Sequence, residues 1–235
     1  MSLINTIACG DCREILPTLP AKSFQLAFAD PPYWVNFEYN GIKDSEMAYI
    51  EPEFLVNELL RIAEIVCITP GITHMFDYPK PSWVGAWYKA DGATMNGKGG
   101  VNKWDPIFLY NISSLRSDVF VANVNWSQNK GRFHKCPKPE LLLRKLILEF
   151  TQVGDSVIDP VSGSGTTCAA AKMLERNYFG IEIDPNIVEL SLKRLSESQP
   201  PLLGMAQANT ASSRLFEGWG DLPAVANQSE SDLPA

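Results

Sequence analysis

Two short stretches of this chain combine residue types that could do chemistry. The first is Phe24-Gln25-Leu26-Ala27-Phe28-Ala29-Asp30-Pro31-Pro32-Tyr33, an apolar run that ends in an acid, two prolines and an aromatic ring. Paired prolines fix the backbone and remove two N–H donors. Carbonyl groups and the Asp30 carboxylate then face the turn as acceptors, which suits a donor-only group such as an exocyclic amine. Tyr33 adds a flat surface on which a base could stack. A rigid strand-end turn is the plain alternative. The second stretch is Ser156-Val157-Ile158-Asp159-Pro160-Val161-Ser162-Gly163-Ser164-Gly165-Thr166-Thr167, which reads as strand, Gly-x-Gly and helix. Its glycines let backbone approach a ligand, and the helix start offers free N–H groups. Cys168 stands where a dinucleotide fingerprint needs its third glycine, and no Lys follows Gly165 as a Walker loop requires. The next strand ends in Gly180-Ile181-Glu182-Ile183-Asp184, with an acid placed to hold a ribose diol. Together these features suggest an adenosyl ligand, and a Gly-rich turn that only packs is the alternative.

The elements around these turns must bring them together. Short apolar runs predict strands at Leu3–Cys9, Phe24–Ala29, Ile65–Thr69, Pro106–Tyr110, Ser156–Asp159 and Tyr178–Ile183. Helical spacing or helix-start residues predict helices over Glu53–Glu64, Glu140–Phe150, Thr166–Arg176 and Pro185–Glu197, the last with Asp184 as N-cap. Alternating strands and helices imply an α/β fold with a doubly wound, mostly parallel sheet. Ligands in such sheets bind at the carboxyl ends of the strands, where both chemical turns fall. Residues 1–198 carry these elements and form the expected folded domain. Residues 199–235 form an acidic tail of net charge −3, rich in Pro, Ala, Ser and Gln, that reads as disordered.

Composition narrows the class. The chain has 235 residues, of which 45% are hydrophobic and 20% charged, enough for one domain with a buried core. No run of about 18 apolar residues occurs, so a membrane-spanning helix is not expected. Met1-Ser2-Leu3-Ile4-Asn5 lacks a basic region followed by an apolar stretch, so secretion is not expected either. Five scattered cysteines fit reduced thiols in the cytoplasm. The Cys9-x-x-Cys12 pair lacks a second ligand pair, so no metal is expected, and His74 reads as structural. The formal charge of −7 argues weakly against nucleic acid, yet Gln128 to Leu148 carries a net +5 and includes His134. Lys130, Arg132 and Lys135 are therefore candidates for phosphate contact. Trp83, Trp87, Tyr88 and Trp104 read as core packing. A second reading puts this stretch, with Gly92, Gly97, Gly99 and Gly100 beside Lys89, Lys98 and Lys103, against a DNA groove.

The Asp30-Pro31-Pro32-Tyr33 turn, the Asp159-Pro160-x-x-Gly163-Ser164-Gly165-Thr166-Thr167 loop and the Gly180-Ile181-Glu182-Ile183-Asp184-Pro185 strand end resemble the amino-DNA methyltransferases that use S-adenosylmethionine. The catalytic turn precedes the cofactor loop, as in the permuted beta group of that family. Between them His134-Lys135-Cys136-Pro137-Lys138-Pro139 resembles the family's His-x-x-x-Lys-Pro segment, and Gly10-Asp11-Cys12 resembles its adenine-holding element. The resemblance spans about residues 3 to 198 and implies a circularly permuted Rossmann-like methyltransferase fold, with residues 1–198 as the catalytic domain and a small target-recognition insertion over 79–133. By the same resemblance Asp30, Pro31, Pro32 and Tyr33 form the catalytic corner. Asp11, Cys12, Asp30, Lys138, Asp159, Pro160, Val161, Ser162, Gly163, Ser164, Gly165, Thr166, Thr167, Glu182 and Ile183 form the cofactor site.

The implied reaction is direct transfer to an exocyclic amine of a flipped base in double-stranded DNA. Asp30 favours adenine N6, because cytosine-N4 enzymes more often carry Ser there. Cytosine N4 is the runner-up, and a non-catalytic DNA-binding relative is the third reading. Cytosine C5 chemistry is set aside because no Pro-Cys-Gln motif occurs. A homodimer and a cognate restriction endonuclease are the further partners the resemblance implies.

Overall fold

In a computed structural model the described residues are 4–33, 49–90, 100–124 and 138–198, with the backbone of 38–39, 42–43 and 94–95. Strands β1 (Thr6–Cys9), β2 (Phe24–Ala29), β5 (Ala63–Ile68), β11 (Ser156–Asp159) and β12 (Asn177–Glu182) carry the parallel part of the sheet. Strands β6 (Trp83–Tyr88), β9 (Trp104–Tyr110) and β10 (Val119–Val121) extend it on one side. The order across the sheet is β1-β12-β11-β2-β5-β9-β6-β10, and β9 is the strand that runs against the other seven. Two small antiparallel ribbons, β3 (Glu38–Tyr39) with β4 (Ile42–Lys43) and β7 (Thr94–Met95) with β8 (Val101–Asn102), lie outside it.

Alternation along β2 explains why both faces need cover. Leu26 and Phe28 point into one core cluster, with Leu142, Leu143, Leu146 and Ile147 of helix α4 (Glu140–Phe150) and Ala169–Ala171 of α5 (Thr166–Met173). Ala27 and Ala29 point into the other, with Leu55, Leu59 and Ile62 of α2 (Pro52–Ile62). Two short helices, α1 (Cys12–Ile15) and α3 (Gly71–His74), and the longer α6 (Pro185–Glu197) complete the set. A strand buried on both faces reads as a continuous apolar run, the pattern of a parallel sheet. The expected α/β class and doubly wound arrangement are therefore present.

Four element boundaries match the sequence reading to the residue: β2, β11, α4 and α6. Helix α5 stops at Met173 rather than Arg176 because Glu175 takes φ 61, outside the helical region. Helix α2 ends at Ile62 because Ala63 already enters β5. Strands β6 and β10 were not expected. Within 79–133, therefore, β6, β9 and β10 continue the main sheet, and the connection that carries the β7/β8 ribbon leaves it. The tail after Ser198 lies outside the described residues.

Candidate active site

Strand pairing brings the two chemical turns together. Strands β11 and β2 are parallel neighbours, with Val157 opposite Leu26 and Ile158 opposite Ala27. Their carboxyl ends, and so Asp159 and Asp30, share one edge of the sheet. From β11 the sheet continues through β12 to β1 on one side, and from β2 through β5 on the other. Such a point of reversal leaves a crevice beyond the strand ends.

Asp30 stands one residue beyond β2. Three donors converge on its Oδ1: the Thr69 hydroxyl at 2.6 Å, the Tyr33 hydroxyl at 2.7 Å and the Lys138 ammonium at 2.5 Å. Among the described residues none donates to its Oδ2. Thr69 is placed by sheet register, since Ala29 faces Ile68 and the Thr69 N–H donates to the Ala29 carbonyl. Lys138 also donates to the Tyr33 hydroxyl at 2.8 Å and lies 5.1 Å from the Tyr33 ring centre. Burial, then the charge of Asp30, push the Tyr33 phenol well above its usual range, so it stays a neutral donor. Gly71, at φ +69, lies against the Tyr33 ring, and a Cβ there would stand 3.0 Å from Cγ and Cδ1.

The glycine loop is tied down from beneath. Asp159 accepts from the Thr167 hydroxyl at 2.5 Å and the Val161 N–H at 3.1 Å. Burial raises its carboxyl to about 7, despite those two hydrogen bonds. Glu182 accepts the Gly163 N–H on one oxygen and the Asp184 N–H on the other, both at 2.9 Å, and burial raises its carboxyl as well. Gly165 takes φ +71 with Ile7 and Ser191 each 3.2 Å from where a Cβ would be, so a larger residue would strain the backbone and press on both side chains. Helix α5 then begins without a side-chain cap, which leaves its first N–H groups open to an anion. Thr166, Thr167 and Ser162 are buried, while Ile183 is 59% exposed at the end of β12. Pro160, Val161 and Ser164 complete the loop, and Val161 packs partly on the core.

Other expected residues fall in varied places. Asp11 caps α1 by accepting the Arg13 N–H, and the Arg13 guanidinium beside it holds its carboxyl below the usual range. Cys12 is buried in the core, and burial pushes its thiol up to about 12. Pro31 is buried and Pro32 half-buried at the catalytic turn. Lys138 reaches Asp30 and not the glycine loop. Lys103 is exposed beside β9. Lys98, Lys130, Arg132, His134 and Lys135 lie outside the described residues. Lys89, read as a neighbour of a DNA groove, is instead fully buried and pairs with Asp105 at 2.6 Å. Trp87 is buried as expected, but Trp83, Tyr88 and Trp104 are exposed. No group of three metal-ligating side chains occurs among the described residues, and no described helix is long and apolar enough to cross a membrane.

Sequence reasoning missed Thr69, Gly71 and Trp87 as parts of this corner. Thr69 had a usable signal, because it ends a predicted strand at the edge where ligands bind. Gly71 and Trp87 had none, since their roles depend on contacts from distant segments.

Residues 80–193 match the profile of the N6/N4 methyltransferases, described as DNA methylase. The chain is 28% identical over 250 residues to the Type II methyltransferase M.HinfI of Haemophilus influenzae, across 84% of this chain and 70% of that protein. It is 27% identical over 241 residues to the DNA adenine methyltransferase YhdJ of Escherichia coli K12, across 81% and 82%. Its fold is similar to that of M1.HpyAVI, solved as a SAM complex, with a TM-score of 0.58 at 18% identity over 80% of this chain and 98% of that one.

Proposed function

We propose that the chain is a member of the N6/N4 family of DNA methylases, whose profile matches residues 80–193, and that it methylates the N6 amino group of adenine in double-stranded DNA. One observation carries the reading: the pairing of β2 with β11 sets the Asp30 turn and the glycine loop at the same sheet edge. An electrophilic methyl group on a sulfonium is what S-adenosylmethionine supplies when bound.

The residues present fit that cofactor. The uncapped start of α5 and the Gly163–Thr167 backbone suit its methionine carboxylate. Both Glu182 oxygens already accept one N–H each, and each keeps a lone pair for a ribose hydroxyl. Exposed Ile183 offers an apolar seat for adenine, and Asp11 and the Cys12 backbone lie at the end of the neighbouring β1. Asp159 anchors the loop and places a carboxyl near the cationic end.

An exocyclic amine is a poor nucleophile because its lone pair is delocalised into the ring. Asp30 accepts one amine hydrogen and the Pro31 carbonyl the other, which favours a pyramidal nitrogen. Asp30 need not be a strong base, since the methylated amine sheds its proton readily. Alignment alone is worth roughly 7–11 kcal/mol over a free encounter. Tyr33 stacks on the flipped base with Gly71 supporting its ring. Lys103, between β8 and β9, with Lys98, Lys130, Arg132 and Lys135, serves phosphate contact, and the parts of 79–133 outside the main sheet read the target. This reading sets the enzyme in the cytoplasm, and the type II relative supports a role beside a restriction endonuclease.

Transfer of tritium from labelled S-adenosylmethionine to duplex DNA tests the proposal. Label in N6-methyladenine is the expected outcome. Label in N4-methylcytosine would move the assignment to the second base of the family. Duplex binding with no transfer would identify an inert DNA-binding relative.

A further inference from the structure

We propose that Lys138 is a positioning residue for the Asp30 carboxylate and not a contact of the cofactor. With Thr69 and Tyr33 it fixes one carboxylate oxygen, so that the other remains the acceptor for the target amine. The identity of that amine rests on the methyl-transfer reading; the placement of Lys138 does not.

The geometry is asymmetric. Oδ1 of Asp30 receives three donors between 2.5 and 2.7 Å, while Oδ2 receives none from the described residues. Three donors saturate one oxygen and fix the carboxylate plane, and a charge-assisted bond is the strongest of them. The ammonium is itself held. Two of its partners are Asp30 and the Tyr33 hydroxyl, and its charge lies 5.1 Å from the Tyr33 ring centre and 5.6 Å from that of Trp87. Trp87 is buried, its indole N–H donates to the Ala122 carbonyl at 2.7 Å, and the Lys89 ammonium sits 4.7 Å from the same ring while paired with Asp105. The lysine backbone is equally constrained. Pro139 follows it, its carbonyl accepts the Leu142 N–H, and the apolar face of α4 is buried. The carboxylates of the glycine loop, in contrast, spend their bonds on Thr167, Val161, Gly163 and Asp184, and none reaches Lys138.

A carboxylate fixed in this way needs no reorientation when the base arrives. Removing the ammonium should therefore slow turnover without loosening the cofactor. The test compares Lys138→Met, Lys138→Arg and Thr69→Val with the wild-type protein. Calorimetry gives the cofactor dissociation constant, and steady-state kinetics on a methylatable duplex give kcat and KM. In Lys138→Met, kcat should fall about a hundredfold, with cofactor affinity and duplex KM changed by less than about threefold. Lys138→Arg should recover about tenfold of that loss, and Thr69→Val should lower kcat in the same sense. Thermal melts check folding, and Lys138→Arg carries the comparison if the Met variant melts early. A loss of cofactor affinity of about tenfold or more, with kcat kept at saturating cofactor, would overturn the assignment. If the wild-type protein transfers no methyl group, the functional reading fails by itself. Calorimetry on Lys138→Met still decides the role of the lysine: unchanged affinity supports it and a tenfold loss overturns it.

Discussion

Asp30 and Asp159 are both strand-end carboxylates, and their surroundings divide their labour. Asp30 keeps one oxygen without a donor from the described residues, whereas Asp159 is 4% exposed and has both oxygens engaged by the loop. Burial raises Asp159 from 3.8 to about 7. A raised carboxyl means that the folded protein binds a proton which the unfolded chain releases near pH 4. The stability this proton lends is complete below about pH 4 and is lost as the pH rises through about 7. A cation beside Asp159 favours the ionised form. Cofactor binding should therefore release a proton and tighten as the pH rises from about 6 to 8. Calorimetry in two buffers of different ionisation heat reads the proton, and Asp159→Asn should abolish the dependence. Gly71→Ala makes a second test at this scale. The left-handed backbone costs a non-glycine residue roughly 1–2 kcal/mol, and the added Cβ presses on the Tyr33 ring. A lowered melting temperature and a reduced kcat are expected together, and wild-type kinetics in that variant would detach Tyr33 from the reaction.

At the scale of elements, the site depends on β2 and β11 keeping their register and on α4 holding Lys138 in place. Helix α4 buries Leu142, Leu143, Leu146 and Ile147 against the sheet and α5. Leu146→Ala leaves a void there, and urea unfolding should show a loss of about 2–5 kcal/mol. A loss under 1 kcal/mol would mean that the helix is not the support described. These elements were legible in the sequence because local pattern specified them. Phe24–Ala29 is an unbroken apolar run stopped by Asp30-Pro31-Pro32, and Glu140–Phe150 follows a proline with apolar residues at helical spacing. Strand β6 was not legible, since Gly85 interrupts it and exposed aromatic residues flank it. The corner around Asp30 was legible only in part. Asp30 and Lys138 are 108 residues apart, and nothing local tells a lysine whether it meets DNA, cofactor or carboxylate. Lys89 gives the same lesson: among glycines and lysines it reads as a surface charge, and only the fold supplies Asp105 as its buried partner.

For the whole molecule, charge distribution matters more than the total. A net −7 would repel a polyanion, so binding must rely on local excess charge such as Lys130, Arg132 and Lys135 in the basic segment from Gln128 to Leu148. Reversing Lys130 and Arg132 to Glu should weaken duplex binding. It should also reduce the slope of log affinity against log salt by about two. An unchanged slope would show that this segment faces away from the phosphates. The central claim, that Asp30 helps move a methyl group onto an adenine amine, is tested most directly in cells. The wild-type chain and Asp30→Ala are each expressed in a bacterial host without adenine methylation of its own, and the digested DNA is analysed by nucleoside mass spectrometry. The account predicts N6-methyladenine with the wild-type chain and background with Asp30→Ala, whose cofactor affinity in vitro stays within about tenfold. Equal N6-methyladenine from both proteins, or none from either, would contradict it.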